Sequence, residues 1–145
     1  MELRSVEELM DLLYACRGAR LTGPGGGAGD LHGHALRTAA LLRRARPADK
    51  ELQVAGLVCP VGRLLWPGDP AGGAAGAVRP LLGARVARLL RRHTQAAAAH
   101  DDDLLRLRQA DEEARTAVFD AGVLEDWRTV LELVAARNSR LGAVD

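Results

Sequence analysis

Four histidines, two cysteines and a handful of acids and arginines are the residues of this chain that could do chemistry. His32 and His34 stand two apart, so on a helix they point to different faces and do not jointly chelate one ion. His93 follows Arg91 and Arg92 near a helix end, where an imidazole favours the helix dipole and capping is the simple reading. His100 beside Asp101, Asp102 and Asp103 makes a weak metal-collecting cluster, although the acids equally suit a solvated helix start. Cys59 stands in an apolar run just before Pro60. As a nucleophile it would need a compensating cation, and Arg63, four residues on, could be that cation; as a buried structural cysteine its thiol is simply inert. Arg108 and Asp111, three apart, share a helix face and can both point inward, while Arg106, Glu112, Glu113 and Arg115 read as an ion-paired surface. The glycine-rich stretch Gly23–Gly29 lacks the Gly-Lys-Ser/Thr ending of a phosphate loop and follows no strand, so it reads as a plain connection.

The elements that must position these residues are helices. Ser5 and Glu8 form a capping-box start for a first helix with Val6, Leu9, Met10, Leu12 and Leu13 on its stripe, ending near Gly18. Residues 22–30 form a flexible loop, and Asp30 caps a second helix over 31–45 with Leu31, Ala35, Ala39 and Leu42 on one face. A third helix runs over 48–58 and must break near Cys59, because Pro60 cannot donate in a helix interior. Residues 67–76, rich in Gly and Pro, read as a second flexible loop. A long helix over 77–93 carries Val78, Leu82, Val86, Leu89 and Leu90; further helices span 101–117 and 123–140, the last with Val123, Trp127, Val130, Leu131 and Val134. No segment alternates with a period of two between turns, so strands are not expected. The spacing predicts an all-α bundle of about six helices forming a single domain over residues 1–145.

Composition narrows the partners. Apolar residues make up 48% of the chain and aromatics only 3%, so Leu, Val and Ala must fill the core. Lys50 is the only lysine, and the arginine excess fits a GC-rich genome. A net charge of +1 provides no concentrated basic face for nucleic acid. No apolar run approaches the roughly 18 residues of a membrane span, and Glu2, Arg4, Glu7 and Glu8 exclude an export signal at the start. These features predict a cytoplasmic, soluble protein with Cys16 and Cys59 reduced.

The run Leu31-His32-Gly33-His34-Ala35-Leu36-Arg37-Thr38-Ala39, followed by Leu52–Leu65, resembles the HD-domain family. The likeness is greatest to its branch of di-iron oxygenases that cleave organophosphonates, distantly related to inositol oxygenase. In that branch a first helix carries a histidine before Ala-Leu-x-Thr-Ala, which His34 matches, and a later helix reads Ala-Ala-Leu-Leu-His-Asp-x-Gly-His-Leu-Leu. Leu82-Gly83-Ala84-Arg85 with Leu89-Leu90 looks like the helix after a third histidine. Leu107–Arg115 resembles the closing ligand helix, with Asp111 at its aspartate, and Leu124–Arg128 resembles the C-terminal helix. The likeness covers residues 30 to 137. It departs where metal should bind: the His-Asp pair falls on Cys59 and Pro60, the next histidine on Arg63, a later one near Arg79, and a segment with a further ligand histidine is mostly deleted.

What the resemblance implies is a degenerate HD-like bundle without a di-iron centre, without a cofactor and without the family's oxygenase chemistry. Arginine stands where two neutral histidines are expected, and a guanidinium is always charged and grips carboxylate or phosphate through paired bonds. Arg63 or Arg79 is therefore expected to replace the lost metal charge, either by pairing with Asp111 or by binding an anionic ligand. On this reading His34 and Asp111 are an acid–base pair, Arg63, Arg79 and Arg108 contact the ligand, and Cys59 lies in the cavity wall. The expected function is a metal-independent derivative that binds or transforms a small anionic or polar molecule, in specialised metabolism. The alternative is a non-catalytic partner subunit acting through contact with a protein partner or as a homo-oligomer.

Overall fold

The structure is a computed structural model that describes residues 2–19 and 30–144. Among them are eight α-helices and no strand: α1 (Val6–Ala15), α2 (Leu31–Ala45), α3 (Lys50–Val58), α4 (Val61–Leu65), α5 (Pro70–Leu82), α6 (Ala84–Arg92), α7 (Asp102–Ala114) and α8 (Arg128–Val144), with single 3₁₀ turns at Ala96–His100 and Leu124–Trp127. No helix among the described residues is long and apolar enough to cross a membrane.

Short polar side chains start most of the helices. The Ser5 hydroxyl accepts from the Glu8 amide at 3.2 Å, Asp30 accepts from Gly33 at 2.8 Å, Asp49 from Leu52 at 3.1 Å and Asp101 from Asp103 at 3.0 Å. Each satisfies a donor that the first helical turn leaves without a partner. Asp30 also accepts from the Gly18 amide at 2.7 Å, which ties the end of α1 to the start of α2.

The core is built around α3. Every residue from Leu52 to Val58 is buried, so this helix is enclosed on all sides rather than amphipathic. α2 lies against both α3 and α7, α5 packs along α6, and α8 closes the bundle against α1, α3 and α5. Leu and Val side chains supply most of the fully buried volume, and Trp127 is the one aromatic ring among the largest of them. Arg85 clamps the end of the bundle away from the α4–α5 turn: its guanidinium reaches both oxygens of Asp49, at 2.7 and 2.8 Å, together with Glu51 and Asp103 at 3.2 Å.

Two expectations need correction. The segment 67–76 is not a flexible loop throughout, because α5 begins at Pro70. Asp69 caps it by accepting from Gly72, and Pro70 occupies the first helical turn, where a missing N–H costs nothing. The same Asp-Pro-x-Gly chemistry that resembles a turn is thus a helix start. The single helix expected over 77–93 is divided at Gly83, whose φ of +100° lies outside helical space and is readily adopted only by glycine. The division at Gly83 and the short α4 after Pro60 bring the expected six or so helices to eight among the described residues. The expected loop over 22–30 lies mostly outside the described residues. The break at Pro60 is present: α3 ends at Val58, and α4 restarts at Val61.

The turn between α4 and α5 allows no side chain at Gly62. A Cβ placed there would stand 2.2 Å from the Pro70 carbonyl oxygen, whereas one at Gly76 on the exposed side of α5 would meet nothing. Chemical denaturation should therefore separate two like substitutions. Gly62→Ala is expected to destabilise by about 1–3 kcal/mol through overpacking, and Gly76→Ala to stabilise by about 0.5–1 kcal/mol through lower unfolded-chain entropy.

Candidate functional site

Where α2, α4 and α7 converge, a carboxylate is buried. Asp111, on the inward face of α7, is 5% exposed. Its Oδ1 accepts from His34 Nε2 on α2 at 2.8 Å, and its Oδ2 accepts from Arg63 Nη2 on α4 at 3.0 Å. His34 is itself held by position: its backbone carbonyl accepts from the Thr38 hydroxyl at 2.8 Å one turn along. Burial alone would raise the pKa of Asp111, but the His34 hydrogen bond and the Arg63 charge outweigh it and hold the carboxyl below its ordinary value. The group is thus an ionised acid with both oxygens engaged.

Beside this cluster lies a second pair. Cys59, at the break after α3, places Sγ 3.2 Å from Nε2 of His93 at the end of α6. His93 Nδ1 stands 2.8 Å from the Leu90 carbonyl oxygen. A carbonyl can only accept, so Nδ1 carries the proton and the lone pair of the neutral ring resides on Nε2, facing the thiol. Burial lowers the His93 pKa, against the opposing effects of the Leu90 hydrogen bond and the Asp111 charge. Burial likewise pushes the Cys59 thiol well above its usual range, aided by the Asp111 charge and opposed by Arg63 and Arg115. The resting state is neutral thiol to neutral imidazole.

Both groups face usable space. Cys59, Arg63, Pro70, Ala71, His93 and Thr94 contribute to the lining of a cavity of about 230 Å³ between α4, the start of α5 and the end of α6. Arg63 joins the two clusters, with Nη2 on Asp111 and Nη1 buried and without a hydrogen-bond partner. Asp69 also stands at the rim, but its carboxylate is turned into the cap of α5.

The donor atoms of Cys59, His93 and Asp111 lie within 4.8 Å of one another, so the three could hold a single borderline-soft cation. A centre of two metal ions does not fit these residues. Pro60 offers no side-chain donor, and the guanidinium of Arg63 already sits on Asp111 as the neutralising cation.

Of the residues expected at the site, His34, Asp111, Arg63 and Cys59 are brought together, although His34 and Asp111 lie behind Arg63 and do not line the cavity. Arg79 is exposed on α5, and none of the described contacts joins it to Asp111. The register explains why: Ala74, Ala75, Ala77 and Val78 take the buried face, leaving position 79 to solvent. Arg108 points along the outer face of α7 to Glu112, 3.6 Å away, while the next turn turns Asp111 inward. Sequence reasoning missed His93 by treating it as a dipole cap. It does cap α6, yet it also continues the stripe Val86, Leu89, Leu90, His93, and that register was the signal for its burial. His32 donates from Nδ1 to the Leu13 carbonyl at 2.8 Å and stacks on Tyr14, and His100 is exposed. Compared with known proteins, the chain matches no family model and no curated protein sequence.

The buried triad makes a stability prediction with a sign. Because the folded Asp111 pKa lies below the unfolded one, its contribution is complete above the ordinary aspartate value of about 3.9 and disappears as pH falls through the folded value. Denaturant titrations at pH 7, 5 and 3 should show the advantage of wild type over Asp111→Asn shrinking only in the acid range. Arg63→Ala, which strands the charge, should cost about 3–5 kcal/mol at pH 7. An acid slope that Asp111→Asn leaves unchanged would mean that the fold does not lower the pKa of this carboxyl.

Proposed function

We propose that this protein is a metal-independent derivative of an HD-domain oxygenase that binds a small anionic molecule in the cavity beside Arg63. The observation that carries the reading is the state of that guanidinium. It is fixed from behind by Asp111 and lines the cavity, so its positive charge stands at the cavity wall. A carboxylate or phosphate held there would be attracted by that charge.

The local charge supports an anion. Arg63 and Asp111 balance, while Arg115 adds a second positive charge within electrostatic reach of Cys59. Thr94 adds a hydroxyl to the lining, and the apolar side chains of Ala74 and Leu90 limit the ligand to a small molecule with one charged end. On this reading His34 and Asp111 are positioning residues: they orient Arg63 rather than exchange protons with the ligand.

Calorimetric titration with inorganic phosphate, acetate and succinate provides the test. At least one of these should bind saturably, with affinity that falls as salt rises and at least tenfold in Ala71→Phe, which fills the cavity from α5 without touching Asp111. The reading is overturned if none of the three binds at millimolar concentration, or if Ala71→Phe binds as wild type does.

A further inference from the structure

We infer that Cys59 and His93 form a nucleophilic dyad that attacks an electrophilic carbon of a small anionic molecule held by Arg63. This rests on the anion-binding reading for the choice of substrate, but the dyad itself stands on separate geometry. Three observations carry it.

The first is the fixed tautomer. With Nδ1 committed to the Leu90 carbonyl at 2.8 Å, Nε2 can only accept, and Cys59 Sγ lies 3.2 Å from it. Thiol, base and an orienting acceptor thus stand in line, which is the arrangement that general-base activation of a nucleophile requires. The second is access: Cys59 and His93 both belong to the lining of the 230 Å³ cavity, so a small molecule can reach the pair without opening the core. The third is Arg63, which lines the same cavity and brings a positive charge to its wall. Cys16 shows what a merely structural cysteine looks like in this fold. It is fully buried and lines none of the cavities described.

In the reaction, the Sγ–H proton passes to His93 Nε2 as an Sγ–C bond forms. The bond from that carbon to its leaving group breaks, and the leaving group departs with the electron pair. The imidazolium then returns its proton to the leaving group or to water. Proton transfer within the attack, rather than a standing thiolate, suits a pair that is neutral at rest.

Iodoacetate and iodoacetamide are matched probes, one anionic and one neutral, that both lose iodide to a thiol. The full-length protein would be treated with each at pH 7 under native conditions, and labelling of Cys59 and Cys16 followed by peptide mass spectrometry against free cysteine as reference. Cys59 should be alkylated while Cys16 in the same molecule is not. His93→Gln should slow both reagents at Cys59 at least tenfold. The iodoacetate-to-iodoacetamide rate ratio at Cys59 should exceed that of free cysteine by at least tenfold, and Arg63→Lys should bring it down. Equal, slow labelling of both cysteines in wild type overturns the dyad and needs no variant to fold; so does a His93→Gln protein that folds and reacts as wild type does. If calorimetry finds anion binding while Cys59 stays inert, the dyad alone fails. If Cys59 reacts in a His93-dependent way without charge preference, the dyad holds and the anionic substrate class is withdrawn.

Discussion

A carboxylate buried between helices must be neutralised where it stands, and the geometry of this protein follows from how that is done at Asp111. One oxygen takes His34 and the other takes Arg63, so a single acid on α7 fixes the facing sides of α2 and α4. Neither partner is local in sequence. Leaving the acid unpaired would cost several kcal/mol, comparable to a large part of the stability of a domain this size. The convergence of the three helices is therefore strongly specified, even though replacing the whole cluster by apolar groups need not weaken the fold. The cluster selects an arrangement more than it adds stability.

Arg63 reaches Asp111 from the short α4, which follows the interruption at Cys59 and Pro60. The turn then returns so tightly to α5 that Gly62 meets the Pro70 carbonyl. The cavity lies between α4, the start of α5 and the end of α6, with Cys59 in its lining.

Much of this was legible in the residues. Caps at Ser5, Asp30 and Asp101, apolar stripes of helical period and the break at Pro60 all follow from local chemistry, and local chemistry is what a single sequence encodes most directly. His34 and Asp111, far apart in the chain, lie 2.8 Å from each other in the fold. What failed was of two kinds. Asp69-Pro70 has the composition of a turn and the geometry of a helix start, and only the course of the chain after it distinguishes them. Arg79 and His93 were misjudged because side-chain direction depends on register. One residue of phase puts Arg79 in solvent beside buried Val78, and three residues after Leu90 puts His93 in the core. An arginine and a histidine in a helix end look alike in composition whichever way they face.

The same burial that makes Asp111 demanding determines what Cys59 and His93 can be. In a dry site a charge-separated thiolate and imidazolium would need strong local compensation, and Asp111 nearby supplies the wrong sign for the sulfur. Arg63 cannot fully correct this, because one of its terminal nitrogens is already bound to that carboxylate. The neutral pair is thus the lower state, and any chemistry at sulfur must move the proton and form the new bond together. A metal ion would resolve the conflict differently. It would favour the thiolate, but it would also have to displace Arg63 from Asp111 or accept a guanidinium a few ångströms away. Arginine and a cation compete for one carboxylate. With the arginine seated there, the sulfur depends on His93 alone for activation.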